Sequence, residues 1–252
     1  MSVWEAIVLG LVQGATEFLP VSSSGHLLFL EKAGIGSPDL FFNICLHLGT
    51  LIAVAVCMRK KIAALFRRDG RKTLFFLFLS CLPTGALALL FMFCAPSLVD
   101  GAMLPFGFMV TTVLLVCSHC LNGSPRFLDG KAGLLAGVFQ GVAVLPGISR
   151  SGATVAALRL YGVEKRPAAE FSFLMSVPVI IASALYEGIK ITVSGEPPAV
   201  DVLPLLAGVA AAFLSGLAAI KFFLSLFEKR SLIPFAVYTA AMSAASFLLF
   251  YL

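Results

Sequence analysis

The polar chemistry of this chain is concentrated in two short stretches. In the first, QGATEFLPVSSSGH, an amide, a carboxylate, three hydroxyls and an imidazole (Gln13, Glu17, Ser22, Ser23, Ser24 and His26) stand with Gly25 in apolar surroundings. The second, LPGISRSGAT, sets Ser149, Arg150, Ser151 and Thr154 around Gly147 and Gly152. Gln13 and Glu17 are four apart, so one helix face carries both and can aim two oxygens at one point, as a hard divalent cation such as Mg2+ or Ca2+ requires. Arginine offers a permanently charged fork to phosphate oxygens. Glycines beside serines let backbone N–H groups at a helix start converge on an anion. Histidine can act as base or nucleophile near neutral pH. Together these groups suit a phosphate or a diphosphate.

Each residue also has a purely structural reading. Gln13 and Gln140 can tie helices together, and Ser22 and Ser149 can cap the helix starts that follow Pro20 and Pro146. Glu17 and Arg150 can form an ion pair, and His26 can be a satisfied interface histidine. His47, in CLHLGT, reads as a packed helix histidine, and Arg159 and Glu170 read as snorkelling side chains.

The elements that position these groups must lie in a membrane. Hydrophobic residues make up 60% of the chain and charged residues 12%, with a mean hydropathy of +1.01, against about 45–50% and about 25% in soluble domains. The chain is expected to form a single all-α, polytopic membrane domain over residues 1–252. The opening MSVWEAIVLG has no basic n-region and carries Glu5, so the first segment is expected to be retained. The six cysteines fall in apolar runs, which speaks against a disulfide framework. In CSHC, Cys117, His119 and Cys120 lack a second ligand pair, so packing is preferred there to metal.

Six stretches can span a bilayer: about 42–58, 73–95, 103–121, 168–189, 202–227 and 232–252. Two others, about 1–30 and 132–160, are broken by Pro, Gly and polar clusters. They are expected to form re-entrant hairpins, tolerated at membrane depth only where protein buries them or water reaches them. Most of the 18 Lys and Arg residues fall in loops that this count puts on one face: Arg59, Lys60, Lys61, Arg67, Arg68, Arg71, Lys72, Arg126, Lys131, Lys165, Arg166, Lys229 and Arg230. The other face holds Lys32, Lys190, Asp39, Asp100, Glu196 and Asp201. The basic face is therefore expected in the cytoplasm and both termini outside. This placement accounts for the net charge of +5 without nucleic acid.

The chain also repeats itself. Gly10, Gln13, Gly14, Ser22, Ser24 and Gly25 fall, at a spacing of 127, on Gly137, Gln140, Gly141, Ser149, Ser151 and Gly152. Two halves, about 1–125 and 126–252, each with one broken hairpin and three spans, must then be inverted relative to each other, an architecture whose sites lie where broken helices meet. The repeat fails where chemistry would differ: Glu17, Ser23 and His26 face Val144, Arg150 and Ala153.

VQGATEFLPVSSSGH and PGISRSGAT, with LHLGTLIAV, FSFLMSVP, FLSGLAAIKFFL and PFAVY in order, resemble the undecaprenyl-diphosphate phosphatase family of bacitracin-resistance proteins over nearly the whole chain. The resemblance implies hydrolysis of a C55 isoprenyl diphosphate to the monophosphate, recycling the lipid carrier of cell-wall synthesis in the bacterial inner membrane, in an outward-opening site that commonly needs a divalent metal. It puts the metal motif on Gln13 and Glu17, with Gln13 in place of a second acid, and the essential serine, histidine and arginine on Ser23, His26 and Arg150. The substrate-binding groups are then Ser22, Ser24, Gly25, Gln140, Ser149, Arg150, Ser151, Gly152 and Thr154. The resemblance leaves the nucleophile open between Ser23 and His26; the chemistry of the residues favours His26 attacking the terminal phosphorus, with deprotonation of Ser23 or of an attacking water as the alternatives. The implied partners are the prenyl lipid and the membrane, and a homodimer is left open. The competing reading is a prenyl-phosphate flippase; the asymmetry between the halves favours the enzyme.

Overall fold

The computed structural model describes residues 1–36, 39–99, 101–120, 124–194, 200–229 and 231–252. Asp100, Glu196 and Arg230, which enter the charge pattern above, lie outside them. The described residues form helices without strands, as apolar segments in lipid must when every backbone group is satisfied internally. In the first half these are α1 (Val3–Phe18), α2 (Ser23–Lys32), α3 (Leu40–Cys57), α4 (Arg59–Leu65), α5 (Arg71–Cys94), α6 (Pro96–Val99) and α7 (Leu104–Cys120). The second half holds α8 (Gly130–Val142), α9 (Arg150–Tyr161), α10 (Lys165–Ser194), α11 (Val202–Lys229) and α12 (Ile233–Tyr251). Five helices are long and apolar enough to cross a membrane, or six if the bent pair of α3 and α4 counts as one. The chain is a multi-pass membrane protein, and its spans fall where hydropathy predicts. The basic segment after α3 departs from a plain loop: it continues as α4, turned by 78°.

Both broken regions are broken. Leu19, ahead of Pro20, is extended (φ −74°, ψ 148°) because proline disfavours the helical conformation in the residue before it, and this ends α1. Between α8 and α9 the chain turns through Gly147 at φ 84°, where an added Cβ would meet the Leu104 carbonyl oxygen at 2.5 Å. Only glycine fits there. Asp39 caps α3 by accepting from Phe42 N (2.8 Å), and Asp129 caps α8 by accepting from Ala132 N (2.8 Å).

Helix pairing follows the internal repeat. α1 packs on α11 as α8 does on α5, and α3 with α10 and α7 with α12 pair with their repeat equivalents, so all four pairs cross the halves. Small residues make the first two contacts close: Gly10 and Gly14 of α1 press on Gly208 and Ala212 of α11, and Gly137 of α8 on the Ser80 carbonyl of α5. Cross-links identify the two ends of the bundle. At the basic end Lys61 pairs with Glu170 (2.9 Å) and Arg166 with Glu228 (2.9 Å), so Glu170 bridges elements rather than simply snorkelling. Arg126 N donates to the Gly162 carbonyl there (3.0 Å). At the opposite end the Tyr251 hydroxyl donates to Ala102 O (2.8 Å), and Gly36 N to the Glu5 carboxylate (3.4 Å). Both chain termini lie at this second end.

Candidate active site

The tips of the two broken regions meet. Ser22 and Ser149 are equivalent N-caps, their hydroxyls accepting from Gly25 N (3.3 Å) and Gly152 N (3.1 Å). The starts of α2 and α9, with their partial positive charge, therefore point at one place. The Ser151 hydroxyl donates to Leu19 O (2.8 Å), stitching one tip to the other. Ser22 has φ 70° and ψ 96°, the only non-glycine residue with positive φ among those described. Such strain costs about 1–3 kcal/mol and persists only where the surroundings impose it. Here it sets the neighbouring Ser23 at the first position of α2.

A cavity of about 330 Å³ lies between the tips, lined by Glu17, Ser22, Ser23 and Ser24 from the first region and by Gln140, Ser149 and Arg150 from the second. Glu17 is its centre. One carboxylate oxygen receives the Arg150 guanidinium, and the other accepts from the Ser23 hydroxyl (2.5 Å) and the Gln13 amide N–H (2.9 Å). The ion pair read from the repeat is thus formed, with the Glu17 side chain 4% exposed. α3 adds His47 and Asn43, α5 adds Thr84, and α10 adds Val179, Ile180 and Ser183, so the wall facing away from the polar tips is largely apolar.

Not every residue singled out by sequence reaches the cavity. His26 is buried behind α2, stacked on Tyr238 with ring planes 2° apart and edge-on to Phe108. Its Nδ1–H donates to the Ser22 carbonyl (2.6 Å), which leaves Nε2 as the acceptor from the Tyr238 hydroxyl (2.6 Å). Both nitrogens are hydrogen-bonded, and the Nε2 lone pair is directed at the Tyr238 hydroxyl rather than into the cavity. Gly25 packs on Phe108 and Gly147. Gly152 packs against Ser149 and Pro20. Thr154 lies in the core, bonded to Arg150 O (2.9 Å) and Ser172 (2.6 Å). Ser151, Gly152 and Thr154 thus hold the second tip in shape rather than lining the cavity.

His47 is what the sequence reading missed. Far from being merely packed, it lines the cavity, and its Nδ1 accepts from the Gln13 amide N–H (2.9 Å). The signal was present: Asn43 and His47 are four apart, the spacing that puts Gln13 and Glu17 on one face.

The same contacts test the cation reading. Gln13 presents its nitrogen, not its oxygen, to Glu17, and its buried oxygen has no partner. Half a turn of the amide exchanges its isosteric ends and brings that orphaned oxygen against Glu17 and His47, an arrangement that a cation would favour. The donors fit an oxygen-preferring ion. No three His, Cys, Asp or Glu side chains cluster among the described residues, so the remaining ligands would have to be hydroxyls, water or substrate oxygens.

Fold and site together define a polytopic membrane protein that holds a carboxylate, a hydroxyl and an arginine where two broken helices meet. Residues 6–245 match the family described as bacitracin resistance protein BacA, and the chain belongs to that family. It is similar to the undecaprenyl-diphosphatase of Carboxydothermus hydrogenoformans, at 36% identity over 94% of each chain. The undecaprenyl-diphosphatase of Bacteroides fragilis is 36% identical over 98% of this chain and 97% of its own. That of Christiangramia forsetii is 37% identical over 100% and 99%.

Proposed function

We propose that this protein is an integral-membrane undecaprenyl-diphosphatase, removing the terminal phosphate of a C55 isoprenyl diphosphate and leaving the monophosphate carrier. The observation that carries this reading is the contact of the Ser23 hydroxyl with Glu17 at 2.5 Å, inside a cavity that also holds Arg150. The serine has an adjacent base, as an activated nucleophile requires. Arg150 and the N–H groups at two helix starts face the phosphoryl oxygens on which charge develops.

In this mechanism Ser23 Oγ attacks the terminal phosphorus as its proton passes to Glu17. The bond from that phosphorus to the bridging oxygen breaks, and prenyl monophosphate departs as Glu17 passes the proton on to that oxygen. Water then attacks the phosphoserine, Glu17 takes the water's proton and returns it to Ser23 Oγ as the Oγ–P bond breaks, and phosphate leaves with the serine regenerated. His26 acts as a positioning residue by holding the strained Ser22 carbonyl. A divalent cation held by Gln13 and Glu17 would supply further positive charge against the phosphoryl oxygens. Ser22, Ser24, Gln140 and Ser149 line the headgroup space, and the wall of Val179 and Ile180 takes the start of the prenyl tail.

The protein lies in the bacterial inner membrane, with the basic end of the bundle cytoplasmic and both termini outside. Asn43, in the first turn of α3 and so toward the end away from the basic loops, lines the cavity, which supports a site that opens outward. Release of inorganic phosphate from a prenyl diphosphate by the purified chain in nanodiscs tests the reading. Turnover is expected, and Arg150→Lys should lower it at least tenfold by removing the bidentate fork. Translocation of prenyl phosphate without hydrolysis would favour a flippase instead.

A further inference from the structure

The two tips are held from outside the cavity. Among the described residues, those that line it include none of α7 or α12, the last helices of the two halves. These helices pair with each other through the Thr112 and Thr239 hydroxyls (2.9 Å) and through the bond that the Ser243 hydroxyl donates to the Pro105 carbonyl (2.7 Å). α7 holds the second tip directly: the buried Thr111 hydroxyl accepts from Ser149 N (2.8 Å) and donates to the Gly147 carbonyl (2.9 Å). α12 holds the first tip through an imidazole. The Tyr238 hydroxyl donates to His26 Nε2, and His26 Nδ1–H donates to the Ser22 carbonyl, at 2.6 Å each.

We propose that Tyr238 is a positioning residue for the Ser23 nucleophile, acting through His26 on the Ser22 carbonyl; the inference rests on the hydrolysis proposed above. A carbonyl oxygen only accepts, so Nδ1 carries hydrogen whatever the charge on the ring, and the Ser22 side sets the tautomer. Tyr238 fixes the other end of the imidazole. With the stack on the tyrosine ring (centroids 5.6 Å apart) and the Phe108 ring edge-on beside it, the imidazole is held in one orientation.

That orientation matters because of the peptide it pins. The Ser22 carbonyl and the Ser23 N–H belong to one rigid plane, and Ser22 is the described non-glycine residue with positive φ. A backbone in such a region relaxes unless its surroundings hold it. The carbonyl oxygen accepts from His26 N as well (3.2 Å), so one residue takes both of its lone pairs. Released, the plane would turn and draw the Ser23 hydroxyl from its 2.5 Å contact with Glu17. Packing alone does not call for tyrosine here. Tyr238 is 44% exposed, and a stack needs only the ring; the hydroxyl at Nε2 is what a phenylalanine would lack.

Steady-state hydrolysis of a prenyl diphosphate by Tyr238→Phe in nanodiscs tests this, because phenylalanine keeps the stack and removes the hydroxyl. kcat should fall about fivefold, the worth of one hydrogen bond. KM should stay within twofold of wild type, since Tyr238 does not line the cavity. The same substitution made in His26→Gln should cost less than a further twofold, as two residues acting in series require. In protein labelled with 15N-histidine, the His26 signals are assigned by their loss in His26→Gln. They should show hydrogen on Nδ1 in the wild type, and the Nε2 signal should shift in Tyr238→Phe while those of His47 and His119 stay in place. Wild-type kcat in Tyr238→Phe, a full further loss on the His26→Gln background, or an unmoved Nε2 signal would overturn the proposal. If the wild type itself releases no phosphate, the hydrolase reading fails, and the nitrogen spectra still decide whether Tyr238 holds the ring.

Discussion

At the scale of single residues, the site turns on a buried carboxylate with several partners. Glu17 and Arg150 neutralise each other, and removing one leaves an uncompensated charge, at a cost of about 3–5 kcal/mol for a buried pair. Glu17→Gln and Arg150→Gln should each lower the unfolding midpoint in denaturant, and the double variant should lose less than the sum of the two. Additive losses would show that the pair is not coupled. That pairing could be read from the sequence, because the repeat sets Arg150 opposite Ser23 in the first copy. The positions of the two histidines could not. Which of them meets the cavity depends on the rotation of α3 about its axis and on Tyr238 arriving from α12 to cap His26, and both are set by tertiary packing. The φ of Ser22 was equally hidden, since no side chain announces a strain that its surroundings impose.

At the scale of elements, the breaks in the helices matter as much as the helices. Apolar run lengths gave the spans, and Pro20, Pro146 and the glycines gave the breaks. The turn into α4 was not legible, because a basic segment suits a loop and a surface helix equally. Gly147 is the element-scale test. Gly147→Ala introduces a Cβ into the Leu104 carbonyl at positive φ, a strain of at least about 1–3 kcal/mol. It should lower turnover more than tenfold with little change in helix content by circular dichroism, because it moves the tip that carries Arg150. Wild-type turnover in this variant would show that tip geometry is not limiting. Asp129→Ala should cost only about 1 kcal/mol of stability, the worth of an N-cap, with turnover preserved.

At the scale of the whole molecule, the exchange of helix partners between halves explains how two tips can enter from opposite ends and meet. Reporters fused after Arg68 should read cytoplasmic and those at the C-terminus external; the same reading at both would break the inverted arrangement. The cation reading also belongs here, since its ligands come from side chains and substrate together. Gln13→Glu should reduce the Mg2+ or Ca2+ concentration needed for half-maximal hydrolysis, and excess chelator should abolish activity. Full activity in chelator would remove the cation from the mechanism.

In the proposed mechanism Ser23, activated by Glu17, is the nucleophile. Rapid quench of the protein with a prenyl diphosphate labelled in its terminal phosphate tests it most directly, because phosphoserine survives acid whereas phosphohistidine hydrolyses in acid and survives alkali. With Ser23 as nucleophile, an acid-stable label maps to Ser23, is absent from Ser23→Ala and still forms in His26→Gln at a reduced rate. An acid-labile, alkali-stable label on His26 would contradict it.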